Sequence, residues 1–232
     1  MAASVLFGIF LAFLAGAPAS SFTSELFSKW PMDKAVEVLN LSPWARQETF
    51  TRVVKGVGSG ISGEKEIYNT FYVRFLSARP IREAYARIQQ IHHGYDKMSP
   101  EERSRFEKAQ ASNLEMDVSH WIVVSVSFRS NDPNEESAVR RFFQSETVQT
   151  LKNKAFLSTA ACPQLELSAY FPPREESVGA KFVFRREVNG TPVVTKDCES
   201  ITLELLEFAG PNSRLRAVFA VKPMIVNGEI VL

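Results

Sequence analysis

From Phe156 to Leu232 the chain carries no residue spacing that would paint one face of a helix. Instead Leu165 to Phe171, Ala180 to Val188, Ile201 to Phe208 and Leu215 to Val221 alternate apolar with polar residues. A period of two sends successive side chains to opposite faces of an extended strand, so each segment reads as a strand with one buried side. Turn formers stand between them: Pro172-Pro173, Asn189-Gly190 and Pro211-Asn212. Links of this kind fit antiparallel connections. Asn189-Gly190-Thr191 has the form of a glycan acceptor, but Asn-Gly is first a hairpin turn and Pro192 behind it disfavours modification.

The earlier part of the chain mixes helices with strands. In Lys29 to Arg46, KWPMDKAVEVLNLSPWAR, Pro31 suits a helix start, and Met32, Ala35, Val36 and Leu39 recur at helical spacing. Asn40 suits the left-handed cap, and Pro43 forces Ser42 into an extended conformation ahead of Trp44. Trp30 and Trp44, which flank this helix, read as core anchors because indoles bury large apolar area. Ala45 to Val54 and Ile67 to Leu76 read as strands, the second with Phe71, Val73 and Phe75 on one face. Pro80 opens a helix with Ile81, Ala84, Tyr85, Ile88 and His92 on one side and Gly94 as its stop. Ser99-Pro100-Glu101-Glu102 is a capping box that starts a polar helix through about Ala111. Trp121 to Phe128 alternates as a strand, and Asp132-Pro133-Asn134-Glu135 opens a helix burying Val139, Phe142 and Phe143, with Ser145 as cap of a further short helix. The sum is an α+β fold: an antiparallel sheet concentrated in the carboxyl half, covered by helices from the first two thirds.

The segment Trp30 to Arg46, with its Leu41-Ser42-Pro43-Trp44-Ala45-Arg46 ending, lies behind a candidate signal peptide. The carboxyl end runs from Arg214 through Val221-Lys222-Pro223-Met224 to Asn227-Gly228-Glu229-Ile230-Val231-Leu232. In both regions the chain resembles a family of uncharacterised exported bacterial proteins. That resemblance implies a location, periplasmic or extracellular, and no reaction.

Val5 to Leu14 is an apolar run too short to span a bilayer comfortably, and Ala17-Pro18-Ala19 supplies small residues for cleavage. Residues 1–19 therefore read as a signal peptide and 20–232 as one domain, with Pro163 as the alternative place to divide it. No later run is long enough for a transmembrane helix. The chain has 232 residues, 45% of them apolar, with eighteen phenylalanines, enough to bury a large core. Its 27 basic and 26 acidic residues leave no net field to attract nucleic acid.

Motifs for chemistry are few. Gly58 to Gly63 has the form GxGxxG, but a strand follows where a dinucleotide site needs a helix, and Glu64 stands where a phosphate loop needs lysine. A hairpin connection is the better reading. His92, His93 and His120 are the histidines, weak metal candidates with Asp96 as a further ligand, since adjacent helical side chains diverge by some 100°. Arg140-Arg141 invites an anion site but sits where a solvated helix edge is expected. Cys162 and Cys198, the two cysteines, are expected to pair as a disulfide in an oxidising compartment. No cofactor is implied. The function expected is a non-enzymatic binding or envelope-associated module with an unknown protein or envelope partner; the alternative is a secreted hydrolase whose Ser, His and carboxylate residues are remote in sequence.

Overall fold

Alternation along the chain resolves into two antiparallel sheets that share their buried faces. The computed structural model describes residues 25–55, 63–174, 179–208 and 213–232. Among these, the helices are α1 (Met32–Leu41), α2 (Arg79–His92), α3 (Pro100–Leu114), α4 (Pro133–Ser145) and α5 (Val148–Leu151). The strands are β1 (Ala45–Lys55), β2 (Glu64–Phe75), β3 (Trp121–Ser130), β4 (Ala155–Ser158), β5 (Leu165–Glu166), β6 (Ala169–Phe171) and β7 (Ala180–Arg185). They continue as β8 (Glu187–Val188), β9 (Thr191–Pro192), β10 (Ser200–Leu206), β11 (Arg214–Ala220), β12 (Ile225–Val226) and β13 (Glu229–Ile230). The fold is α+β, with most strands in the carboxyl half, although the two longest form the hairpin β1–β2 near the beginning.

The five-stranded sheet has the order β1-β2-β3-β7-β6 and the four-stranded sheet β11-β10-β4-β5, while β8–β9 and β12–β13 are separate two-stranded pairs. Register decides which residues share a face: Phe75, Val124, Phe182 and Tyr170 lie opposite one another across four strands, as do Val73, Val126 and Ala180. This face meets the second sheet through Phe75 on Phe219, and the chain just beyond β10 through Phe71 on Phe208, with ring centroids 4.6 and 4.7 Å apart. The residues between them, Tyr72 and Arg74 of β2 with Ser125 and Ser127 of β3, point the other way. There Arg74 reaches the α1 carbonyl of Leu39 and the Tyr85 hydroxyl of α2. The buried core is one cluster running from Trp30 to Leu232.

Local details depart from the expectations where tertiary packing overrides local rules. Helix α1 runs on to Leu41, so Asn40 is helical and not a left-handed cap, and the buried residues are Ala35, Val38 and Leu39, with Val36 exposed. Thr147, not Ser145, caps α5. The segment Leu165 to Phe171 is two strands in different sheets: β5 pairs with β4 and β6 with β7, the chain stepping across at Leu167 and Ser168. Strand β4 was not expected as such; at four residues it is too short for its period to show. Asn189-Gly190 and Asn227-Gly228 both take positive φ at both positions, the conformation of tight two-residue hairpins, and link β8 to β9 and β12 to β13.

Candidate functional site

The sequence-selected residues are not gathered into one site. His92 and His93 end α2, where the His93 ring packs against Phe106 at 5.5 Å. The carbonyl of His120, just ahead of β3, accepts a hydrogen bond from Arg186 N. Among the described residues no three His, Cys, Asp or Glu side chains come together as a metal site. The glycine-rich connection of Gly58 to Gly63 lies outside the described residues up to position 62, but β1 and β2 that flank it pair as a hairpin from Ala45↔Arg74 to Lys55↔Glu64. That is strand to strand, not the strand-to-helix passage of a dinucleotide fold.

Both cysteines are free thiols, so the expected disulfide between Cys162 and Cys198 is not formed. After β4 the chain turns, Thr159 N donating to the Cys162 carbonyl at 2.9 Å, and enters β5. Strand β5 lies on the far side of β4 from β10, the strand that Cys198 precedes. The Cys198 sulfur instead lies 3.4 Å from both the nitrogen and Oγ1 of Thr195.

A cavity of about 410 Å³ forms where β7 stops pairing at Val126 and β3 continues to Ser130 without it. Helix α4 packs beside β3, and the cavity lies between them, α1, α2, Pro173, Arg174 and Gly179. Gly179 closes one wall: its φ is +105°, and a β-carbon there would stand 2.3 Å from the Val126 carbonyl oxygen. Only glycine tolerates both the conformation and the approach.

The lining is rich in guanidinium groups. Arg74, Arg129, Arg140 and Arg174 all border the cavity, and among the described residues Glu136 is the acid in the lining. Arg74 is 7% exposed, and charge at that depth is costly unless its donors are met. Four of its five N–H groups are met by neutral acceptors: the Leu39 carbonyl at 2.6 Å, Asn40 Oδ1 at 2.8 Å, and the Tyr85 and Ser127 hydroxyls at 3.2 Å each. Arg87, buried to a similar degree, is by contrast neutralised by Asp96 at 3.1 Å. The rings of Tyr72 and Tyr85 lie 5.0 and 5.9 Å from the Arg74 guanidinium carbon, where their faces stabilise the cation. Burial raises the Tyr85 phenol above its ordinary range, with Arg74 pulling the other way, so at neutral pH it is a neutral hydroxyl.

The polar neighbours of Arg74 keep donors to offer. Asn40 and Ser127 accept from the guanidinium, which leaves the Asn40 amide hydrogens and the Ser127 hydroxyl proton for another acceptor, beside the fifth N–H of Arg74. The second basic group stands at the outer end. Arg129 donates to Glu136 at 2.9 Å, and Arg140 faces the same carboxylate at 3.8 Å, too long for a hydrogen bond. The arrangement is a converging set of donors and positive charge, suited to holding an anion, with Phe143, Val126 and Pro173 as apolar wall.

From sequence Arg140 stands out as half of a basic pair and Asn40 only as a helix cap, while Arg74 and Tyr72 do not stand out. Arg74 interrupts an apolar strand between Val73 and Phe75, and a charge on a strand whose other face is buried is the signal that could have found it. No protein-family model, curated protein or solved structure matches this chain.

Proposed function

We propose that the protein is an exported, non-enzymatic binding module, periplasmic or extracellular, that holds a small organic anion in the arginine-lined cavity. Export is supported by the apolar run Val5 to Leu14 and by Ala17-Pro18-Ala19, and the mass of exported material should correspond to a chain beginning at Ser20. Retention of residues 1–19 in that material would contradict export by this route. Among the described residues no helix is long and apolar enough to cross a membrane.

The observation that carries the binding reading is Arg74: a buried guanidinium with no carboxylate on it among the described residues, facing a cavity through neighbours that still have hydrogens to donate. An anion there would meet charge-assisted hydrogen bonds in a partly desolvated setting, where they are strongest. Calorimetric titration with hexanoate, and with hexanamide as its neutral counterpart, tests this. Hexanoate should bind saturably at one site and hexanamide should not. Arg74→Gln should abolish the binding, and Asn40→Ala, which leaves the buried charge in place, should weaken it by about threefold to tenfold, one hydrogen bond's worth. Equal behaviour of the acid and the amide, or no binding of either, would overturn the reading.

A further inference from the structure

The two basic groups of the cavity are set apart along the strands, and that spacing selects a kind of ligand. In the register of β2 with β3, Arg74 lies opposite Ser125, Tyr72 opposite Ser127, and Thr70 opposite Arg129. Arg74 and Arg129 are thus on one face of the sheet with four residue steps between them along the strand direction, about 13 Å between backbones. The Tyr72 and Ser127 pair occupies the row between, and both residues line the cavity. Arg140 of α4 joins Arg129 at the outer end.

Charge is unbalanced at both ends. At the inner end the partners of Arg74 among the described residues are all neutral. At the outer end Arg129 and Arg140 share the single carboxylate of Glu136, whose other oxygen accepts from Ser130 N at 3.2 Å. Glu136 is thereby anchored to the backbone and neutralises one guanidinium of the two. Among the described residues one positive charge is left at each end, with Arg174 not counted. A ligand with a single anionic group satisfies one end and leaves the other exposed to water, whereas a ligand with two satisfies both.

Resting on the anion-binding reading above, we propose that the cavity is built for an elongated organic bis-anion. One anionic group is seated by Arg74, Asn40 and Ser127, the other by Arg140 and Arg129, with an apolar or weakly polar linker passing Tyr72. Tyr72 stands in the row between the two ends, and among the described residues its hydroxyl has no hydrogen-bond partner, so a polar substituent on the linker would find one there.

Hexanoate and hexanedioate separate this proposal from the one it rests on, since they differ by one terminal carboxylate. Hexanedioate should bind about tenfold or more tighter than hexanoate, the effect of one additional charge-assisted contact. The double variant Arg129→Gln/Arg140→Gln, both exposed side chains whose replacement leaves the core intact, should abolish the preference, so that hexanedioate and hexanoate bind the variant with the same affinity to within about twofold. Equal affinity of the two ligands for the unmodified protein would overturn the bis-anion proposal while leaving anion binding standing. Tighter binding of hexanedioate that survives in the double variant would also overturn it, by placing the second carboxylate elsewhere. Failure of both ligands to bind would remove both readings together.

Discussion

Trp44 shows at the scale of one residue how the two ends of the chain are joined. It is fully buried, and its indole nitrogen donates to the Val231 carbonyl at 2.6 Å, across 187 positions of sequence. Its own carbonyl accepts from Phe75 N, so the same residue sets the start of the β1–β2 pairing. Trp44→Ala would open a cavity and strand a carbonyl. A loss of about 3 to 5 kcal/mol is expected in denaturant titrations, against a near-neutral His93→Ala, whose side chain lies at the helix surface. A small and equal effect of the two would show that Trp44 is peripheral. The burial of Trp44 was legible from its size and flanking residues, but its partner was not, because nothing local ties position 44 to position 231.

At the scale of elements, the hairpin β1–β2 and helix α4 depend on each other. Residues 64–68 of β2 extend beyond the stretch that pairs with β3. Asn131 takes up part of that edge by accepting from Tyr68 N and donating to the Glu66 carbonyl. Lys65 donates to Asp132 at 2.9 Å, and Arg52 contacts Glu135 at 2.5 Å. Asp132 is also the cap of α4, accepting from Asn134 N and Glu135 N. The Lys65 hydrogen bond, then the capping amides, hold its carboxyl below the ordinary aspartate value of 3.8. A depressed folded value means that the unfolded chain binds the proton more readily, so this stabilisation is complete above about pH 4 and drains away as pH falls through the folded value. Denaturant midpoints measured from pH 5.5 downward should fall more steeply for the unmodified protein than for Asp132→Asn. Parallel curves would mean that the carboxylate does not tie the hairpin to the helix. The cap itself was readable in Asp132-Pro133-Asn134-Glu135, since capping is a matter of three or four consecutive residues. The tie to Lys65 was not, because it depends on the sheet register.

At the scale of the whole molecule the same division holds. The α+β class follows from periods of two and of three to four, which are local, and the structure keeps it. The break of Leu165 to Phe171 between two sheets was hidden, because Leu165, Leu167, Ala169 and Phe171 keep one phase in the sequence, whereas burial passes from Leu165 and Leu167 to Tyr170 at the crossing. The cavity was hidden for a stronger reason. Asn40, Arg74, Tyr85, Ser127, Arg140 and Gly179 come from α1, β2, α2, β3, α4 and the approach to β7, and no spacing in the sequence relates them. Arginine side-chain resonances observed by ¹⁵N NMR during titration with hexanedioate test the site where it lies. The signals of Arg74, Arg129 and Arg140 should shift along one shared saturation curve, while those of Arg79 and Arg214, which pair with Glu83 and Glu204 outside the cavity, stay fixed. Shifts spread equally over Arg79 and Arg214, or none at Arg74, would contradict an anion seat in this cavity.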